Sequence, residues 1–222
     1  MPAGRGLRVL GRYDTTRFDR SLFGALDIVC PKRLSCASPL RLAEFLAGRA
    51  MAQVAQIAMG LVPADVPIGP DRALVWPVGI KGSISHARGC CAAFVVPTAS
   101  GMPGIDVERI AAGHALRSIL RIALDANERG FIDAAADPAT AATLTFSAKE
   151  TLFKALFPTV RHSFGFDAAT LVTVPTDSLV LLRLTRDLAI TLPKDRIFRV
   201  SFRIEADHVV TWLVSGEHGN VI

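Results

Sequence analysis

The chain has 222 residues, half of them hydrophobic, a mean hydropathy of +0.37 and a formal net charge of +5. This length and apolar content suffice for a sizeable core, in one large domain or two small ones. Charged residues make up 20% and no stretch is of low complexity, which excludes long disordered regions. No apolar run reaches the roughly 18 residues of a membrane span, and none follows residues 1–12 as a secretory signal requires. We therefore expect a cytoplasmic protein without a membrane span.

The net charge lies in the first 49 residues, which hold nine Lys or Arg and four Asp or Glu, a balance of +5. The rest of the chain is neutral by the same count. A basic N-terminal surface favours an anionic partner, either nucleic acid, a phosphate-rich small molecule or an acidic protein.

The first predicted long helix begins at Ser38-Pro39, an N-cap followed by proline at the first helical position, and stops at Gly60. Arg49 lies inside its stripe of helical period and Arg41 on the adjoining side. A buried arginine must be paired, so the residues are consistent with a structural bridge, for example to Glu44, or with guanidinium groups that bind a phosphate. The other stripe positions are Leu42, Phe45, Leu46, Gln53 and Ile57.

Residues 61–71 are rich in proline and glycine and predict a loop. The strand after it ends at Ser85 and His86, before an Arg88-Gly89 turn, and a lone histidine at a strand end is more often structural than catalytic. The apolar run 90–96 predicts a central strand. Because none of the four cysteines forms a Cys-x-x-Cys pair, we interpret all as reduced small hydrophobic residues. They are Cys30, Cys36, Cys90 and Cys91.

Two acids share one face of the predicted strand 103–109. Asp106 and Glu108 alternate with Ile105 and Val107, so the carboxylates point to one side and the apolar residues to the other. Side-by-side carboxylates repel unless a cation lies between them, and Mg²⁺ binds through one or two carboxylates plus substrate phosphates. An exposed strand face with ordinary acids is the alternative.

The second predicted long helix is Thr145-Phe-Ser-Ala-Lys-Glu-Thr-Leu-Phe-Lys-Ala-Leu-Phe-Pro158, with its stop at the proline. Glu150 and Lys154 stand four residues apart on one face, with Lys149 at the flank. A solvent-exposed salt bridge accounts for such a pair in a generic helix. Upstream, Asp125 and Glu128 resemble a capping box that opens a short helix.

After this helix the pattern predicts antiparallel strands at 170–174, 179–184, 188–192, 197–204 and 208–214. Helix plus strands thus occurs twice, with a joint near 101–104. We expect an α/β (α+β) fold of two similar halves, residues 1–103 and 104–222, each a small antiparallel-rich sheet packed with a long helix.

Taken together, three motifs resemble the ordered motifs of the 4'-phosphopantetheinyl transferases: Gly82-Ser-Ile-Ser-His86, Gly104-Ile-Asp-Val-Glu108 and Phe146-Ser-Ala-Lys-Glu-Thr-Leu-Phe-Lys154. The likeness is to the surfactin-type single-chain class and most closely to the enterobactin synthase component D branch. Arg41-Leu-Ala-Glu-Phe-Leu-Ala-Gly-Arg49 and Arg72-Ala-Leu-Val-Trp-Pro77 also match that branch. Many relatives have tryptophan where this chain has Phe146, and the siderophore branch often has phenylalanine.

The resemblance implies a pseudo-dimer of two halves with coenzyme A bound in the cleft between them. It implies transfer of the phosphopantetheine arm to a serine of an apo-carrier protein, with release of adenosine 3',5'-bisphosphate. The carriers would be peptidyl, aryl or acyl carrier domains of nonribosomal peptide, polyketide or fatty acid synthases, with siderophore synthesis the usual pathway of the branch. We expect a monomer that does not bind nucleic acid and whose basic N-terminal region docks the carrier.

The resemblance also implies roles for residues. Asp106, Glu108 and Glu150 match the ligands of Mg²⁺, for which Mn²⁺ is a possible substitute, and Lys154 matches the lysine that stabilises the leaving phosphate. Glu150 or a metal-bound water would act as the base for the serine. The remaining positions match residues that hold coenzyme A: Arg41, Arg49, Ser85, His86, Lys149, Lys154 and, with less support, Arg72.

Two other functions are compatible with parts of the pattern. Paired carboxylates beside a lysine also serve magnesium-dependent nucleases, but those place the lysine two residues after the second acid, where this chain has Ile110. An inactive carrier-binding subunit is the non-enzymatic alternative. The presence of all three matched ligands and of Lys154 argues against it.

Overall fold

The chain forms two compact units, Met1–Pro103 and Gly104–Ile222, each with its own sheet and long helix. The structure is a computed structural model and describes residues 6–69, 73–176 and 178–216. In both units the long helix packs against the antiparallel sheet, so the molecule has the α+β architecture that the sequence predicts. No helix in the described ranges is long and apolar enough to cross a membrane.

Unit 1 contains a three-stranded antiparallel sheet in the order β1-β3-β2. Its central strand, β3, is the predicted apolar run, and all its residues except the last are buried. Cys90 and Cys91 pair with both neighbouring strands and are free thiols within the core. The elements of the unit are β1 Leu7–Arg12, α1 Ser21–Ala25, α2 Pro39–Ala58, β2 Ile80–Ala87 and β3 Cys90–Pro97.

Helix α2 begins and ends where the sequence indicates. Ser38 caps it by accepting from the backbone N–H of Arg41, and Gly60 follows it with a φ of 77°. The predicted stripe is wrong at its C-terminal end, since Ile57 is 57% exposed and Gln56 is fully buried instead. Gln56 replaces an apolar residue because its amide bonds both backbone groups of Ala64 in the following loop.

Unit 2 contains a five-stranded sheet in the order β4-β8-β7-β6-β5, with α5 on one face. Helix α4 opens with the predicted capping box, because Asp125 and Glu128 each accept from the other's backbone N–H. Helix α3, which carries both apolar and basic residues, was not predicted from the sequence. The elements are β4 Pro103–Arg109, α3 Gly113–Ile122, α4 Ala126–Asp133, α5 Pro138–Val160, β5 Ala169–Leu171, β6 Leu179–Leu184, β7 Ile197–Glu205 and β8 His208–Val214.

Helix α5 is longer at both ends than the predicted helix. It starts at Pro138, capped by the side chain of Asp137, and runs through Pro158 to Val160. The predicted stop at Pro158 is wrong because a proline in the last turn removes only one backbone donor, while Val160 beyond it is buried in the core. Arg161, with a left-handed φ of 59°, ends the helix.

The predicted strand 188–192 is a tight reversal instead. The N–H of Leu188 donates to the backbone oxygen of Leu192, and the N–H of Leu192 donates to the backbone oxygen of Ala189. Both leucines are buried, while Ile190 at the tip is fully exposed. The apolar residues face the core as expected, but they do so from the two ends of a turn.

Strand β4 lies directly against α5 because Gly104 has no side chain. A Cβ at Gly104 would overlap the backbone oxygen of Thr151. This close approach brings the carboxylates of Asp106 and Glu108 to the same helix that carries Glu150 and Lys154.

Candidate active site

An acidic cluster in unit 2 combines side chains from β4 and α5. Lys154 Nζ lies 2.7 Å from Asp106 Oδ1 and also donates to the backbone oxygen of Ile105 at 3.1 Å. Asp106 is only 3% exposed, and the side chain of Lys154 is 26% exposed. The lysine therefore contacts a strand carboxylate, and the solvent-exposed helix salt bridge considered from the sequence is wrong.

The three carboxylates repel one another. The pKa of Glu108 is raised to about 8, first by burial and then by the negative charges of Asp106 and Glu150, against the opposing effect of Lys154. Burial also raises the pKa of Glu150. The positive charge of Lys154 opposes this rise, and the negative charge of Asp106 adds to it. Three carboxyl groups thus share one lysine, and the raised pKa values show that ionising all of them is costly, a cost that an additional cation would offset.

The donor set suits a hard divalent cation, since it offers carboxylate oxygens on a strand and an adjoining helix. Within the described residues, however, no three Asp, Glu, His or Cys side chains already converge as a metal-binding group. Asp106 uses one oxygen for Lys154 and the other for Ser147, at 2.8 Å. Asp106, Glu108 and Glu150 are therefore the residues that would hold a metal, and this role stays a prediction.

Lys149 occupies a different environment from Lys154. Its ammonium lies 2.8 Å from the carboxylate of Glu128 and donates to the backbone oxygens of Ala123 and Phe166. The side chains of Lys149 and Glu128 are 5% and 0% exposed. Glu128 also accepts from the N–H of Leu171. These contacts support a structural role in joining α5 to α4 and β5, and the phosphate binding that the resemblance implies for Lys149 stays a prediction.

A pocket of about 220 Å³ lies beside the acidic cluster, between the C-terminal half of α5 and the segment 163–169. Glu150 contributes a carboxylate to its lining, and most of the remaining wall is apolar. Phe153 packs against Phe157 and Phe164, so this wall is fixed by aromatic contacts. The pocket suits a slender, mostly apolar chain with a few polar groups.

A basic cluster in unit 1 surrounds Arg49 on α2. Arg49 is 7% exposed, lies over the ring of Phe45 at 4.5 Å, and has no hydrogen-bond partner for Nε and Nη2 within the described structure. Its pKa is lowered to about 10, mainly by burial and in addition by the positive charge of Arg33. Two buried, unpaired guanidinium donors beside a second arginine form a site prepared for an anion.

Arg41 and His86, two of the residues predicted to hold coenzyme A, contact each other in unit 1. Arg41 Nη1 lies 3.1 Å from His86 Nε2 and 3.2 Å from Glu44 Oε2. Because the arginine can only donate, His86 accepts at Nε2 and carries its proton on Nδ1, 3.8 Å from Glu44. The bridge to Glu44 is therefore made by Arg41 and not by Arg49. Ser85, one residue before on β2, is 6% exposed.

Arg72, predicted with less support, lies outside the described residues. Arg33, whose charge acts on Arg49, was not predicted, because it lies in a segment without any clear motif. Ser147, the hydrogen-bond donor to Asp106, was not predicted either. A signal for Ser147 was present, because Thr143, Ser147 and Thr151 repeat every four residues on the buried side of α5. No comparable signal marks Arg33.

Comparison with known proteins identifies two matching families. The profile of the 4'-phosphopantetheinyl transferase N-terminal domain matches residues 31–96, and that of the 4'-phosphopantetheinyl transferase superfamily matches residues 102–211. Both the basic cluster around Arg49 and the acidic cluster around Asp106 lie within the matched ranges.

Curated relatives extend these matches. Enterobactin synthase component D of Salmonella typhimurium is 33% identical over 210 residues, which cover 92% of this chain and 86% of the relative. 4'-Phosphopantetheinyl transferase Svp of Streptomyces mobaraensis is 33% identical over 152 residues, or 67% of this chain and 61% of the relative. 4'-Phosphopantetheinyl transferase PptT of Mycobacterium tuberculosis is 31% identical over 149 residues, or 61% and 59%. The chain therefore belongs to the 4'-phosphopantetheinyl transferase superfamily, in the enterobactin synthase component D branch, and is a 4'-phosphopantetheinyl transferase.

Proposed function

We propose that this transferase uses Mg²⁺ to move the 4'-phosphopantetheine arm of coenzyme A to a serine of an apo-carrier domain, with release of adenosine 3',5'-bisphosphate. The family itself establishes the coarser reaction, phosphopantetheine transfer from coenzyme A to carrier proteins. The observation that carries the finer proposal is that three carboxyl groups, those of Asp106, Glu108 and Glu150, share a single lysine.

Asp106, Glu108 and Glu150 would hold the cation through their carboxylate oxygens. A bound divalent cation neutralises the charge that develops on a pyrophosphate as it is cleaved. Lys154 supports the same chemistry, because its ammonium lies at the cluster and is partly exposed, so it can reach a phosphate oxygen at the surface. Mn²⁺ has the same preference for oxygen ligands and is the expected substitute.

The proton of the attacking serine needs an acceptor. Glu150 is suited to this role because burial and the charge of Asp106 raise the pKa of its carboxyl towards neutrality. We propose that Glu150 serves as a ligand and, in the same position or through a bound water, receives the serine proton.

Arg49 is the proposed anchor for a phosphate of the nucleotide end of coenzyme A. Its two unpaired donors gain hydrogen bonds when an anion binds, so the free energy lost by burying them is recovered in the complex. Arg41, Ser85 and His86 would add contacts to the phosphates, and Arg33 adds positive charge.

The apolar pocket beside Glu150 is the proposed position of the pantetheine arm. A chain with two amides and a thiol end matches its apolar wall with few polar groups. Binding the arm there would keep the reacting phosphate close to the carboxylate of Glu150.

The name of the enterobactin relatives supports carriers of a siderophore pathway as substrates. Carrier domains of other peptide, polyketide or fatty acid synthases are further candidates. We propose that a carrier docks by its acidic surface on the basic N-terminal region, and that the enzyme acts as a monomer. Transfer should therefore weaken as ionic strength rises.

The test is incubation of the protein with coenzyme A, an apo-carrier and MgCl₂, followed by intact mass measurement of the carrier. We expect one phosphopantetheine adduct with Mg²⁺ and none with EDTA. A panel of apo-carriers identifies the pathway by the ratio of kcat/KM values. Transfer that persists in EDTA would contradict the metal requirement, and no adduct on any carrier would contradict the activity.

A further inference from the structure

Three fully buried hydroxyl groups lie behind Asp106. Ser147 and Thr151 are one turn apart on α5, and Thr211 faces them from β8. All three residues are 0% exposed. A buried hydroxyl needs a hydrogen-bond partner, and the usual partner on a helix is the carbonyl one turn before.

Two other threonines of α5 follow that usual pattern. Thr143 and Thr145 donate to the carbonyls of Ala139 and Ala141, four residues before each. Ser147 and Thr151 instead bond across to the sheet, to Asp106 and Thr211. Among the residues that the structure describes, the hydroxyl groups of Ser147 and Thr151 therefore form hydrogen bonds with the sheet and not with carbonyls of their own helix.

The proton positions follow from counting donors, since each hydroxyl has one proton. Ser147 Oγ donates to Asp106 Oδ2 at 2.8 Å, so it must accept from Thr211, whose Oγ1 is 2.9 Å away. The Thr211 hydroxyl also lies 3.0 Å from the backbone oxygen of Ser147. With the Thr211 proton directed at Ser147, Thr151 donates to Thr211 Oγ1 at 2.6 Å, and its hydroxyl also lies 3.2 Å from the backbone oxygen of Thr211. In this assignment each hydroxyl donates to the next group on the way to Asp106: Thr151 to Thr211, Thr211 to Ser147, and Ser147 to the carboxylate.

We propose that Thr151, Thr211 and Ser147 form a directional hydrogen-bond chain that fixes the carboxylate of Asp106 for cation binding, which makes them positioning residues of the reaction. The inference rests on the proposed metal site. Lys154 holds Oδ1 of the same carboxylate and Ser147 holds Oδ2, so the plane of the group is set from both sides. Donors that polarise one another strengthen the last bond of the chain.

Such a chain has a measurable consequence for metal affinity. Residues that orient a ligand without touching the metal change affinity by about 10- to 100-fold when removed. The expected effect is on the concentration of Mg²⁺ needed for transfer, with a smaller change in kcat at saturating Mg²⁺. A purely structural role would alter stability and leave the Mg²⁺ dependence unchanged.

The first experiment measures Mg²⁺ and Mn²⁺ dissociation constants by calorimetry on the full-length protein, with the Mg²⁺ dependence of transfer as a second readout. We expect Thr211→Val, which removes the hydroxyl at nearly constant volume, to weaken binding about tenfold. Thr211→Ser keeps the hydroxyl and loses the methyl group, so it should bind as the wild type does. Thr145→Val is the matched control, because in the described part of the chain its hydroxyl bonds only to its own helix. Ser147→Ala gives the same test where Thr211→Val does not fold.

A second experiment does not need a metal. A double-mutant cycle in urea unfolding combines Thr211→Val with Asp106→Asn, and a parallel cycle combines Thr145→Val with Asp106→Asn. The first pair should show coupling of about threefold or more in the unfolding equilibrium constant, and the second pair should be additive. The cycle thus reports whether Thr211 acts on the carboxylate through Ser147.

The outcomes separate this inference from the proposed function. Absence of coupling between Thr211 and Asp106 overturns the chain, whatever the metal data show. Coupling with an unchanged Mg²⁺ affinity in Thr211→Val overturns its role in cation binding. If the wild-type protein binds no divalent cation although coupling is present, the metal site of the proposed function fails, and with it the role of the chain in cation binding.

Discussion

The two long helices bury polar groups in opposite ways. On α2, Arg49 is buried with two donors that have no partner in the described structure. On α5, Lys149 is buried as deeply, but its ammonium reaches a carboxylate and two carbonyls. The comparison teaches that burial of a charge does not mark a ligand site by itself. A buried charge whose donors lack hydrogen-bond partners does mark such a site, because a bound ligand supplies the partners and offsets the free energy that their burial costs.

The largest expected effect concerns the carboxylate beside the pocket. Glu150→Gln should lower kcat for transfer by about 10³-fold, since it removes both a negative charge and a proton acceptor. Coenzyme A should still bind, because the proposed phosphate contacts of Arg49 and Arg41 remain. Single-turnover transfer and coenzyme A binding by calorimetry measure the two properties. Wild-type activity in this variant would remove Glu150 from the site.

The contrast between the two lysines of α5 gives the next effect. Lys149→Met should lower the free energy of unfolding by about 3 kcal/mol, because it leaves Glu128 buried without its cation. Lys154→Met should destabilise less, as its side chain is partly exposed, and should instead lose transfer activity. Urea denaturation and transfer assays on both variants test this difference.

A compensating variant checks the cause of the Lys149 effect. Glu128→Gln combined with Lys149→Met should recover part of the stability, because the uncompensated charge is gone. If Lys149→Met kept its stability and lost coenzyme A affinity, Lys149 would bind phosphate as the resemblance implied, and the comparison with Arg49 would fail.

Arg49→Met should weaken coenzyme A binding about 30-fold without loss of stability, because it removes two unpaired buried donors and keeps contact with Phe45. Arg41→Met is the control on the same helix. Arg41 is half-exposed and bonded to Glu44, so its replacement should weaken binding less. Calorimetry and thermal unfolding check both variants, and a destabilised Arg49→Met protein that still binds coenzyme A normally would contradict the assignment.

The smallest expected effect is on Glu108. In EDTA, Glu108→Gln should raise the free energy of unfolding by about 1 kcal/mol, because it relieves repulsion from Asp106 and Glu150. In MgCl₂ the wild type should gain stability and the variant should gain little. Thermal unfolding with and without Mg²⁺ measures both, and equal stabilisation of the two proteins by Mg²⁺ would exclude Glu108 as a ligand.

Much of the fold follows from local sequence. Ser38-Pro39 and Gly60 define α2, the capping box of Asp125 and Glu128 opens α4, and the apolar run of β3 predicts a central strand. These features are local because caps, turns and continuous apolar runs act over a few residues. The turn at 188–192 and the continuation of α5 past Pro158 could not be predicted, since both place residues, namely Leu188, Leu192 and Val160, in the core of unit 2 against partners far away in the sequence.

For the site, the sequence by itself determined which chemical groups are present: two strand acids, a helix acid, two helix lysines and two arginines on one helix. It also placed them in the family by their order. Only the tertiary structure decided what each group contacts. Lys154 contacts Asp106 while Lys149 contacts groups in the core. Within the described residues Arg49 has two buried donors without a partner, whereas Arg41 donates to Glu44. The physical reason is that side-chain partners come from elements far apart in the chain, so spacing along one helix gives a face but not the group opposite it.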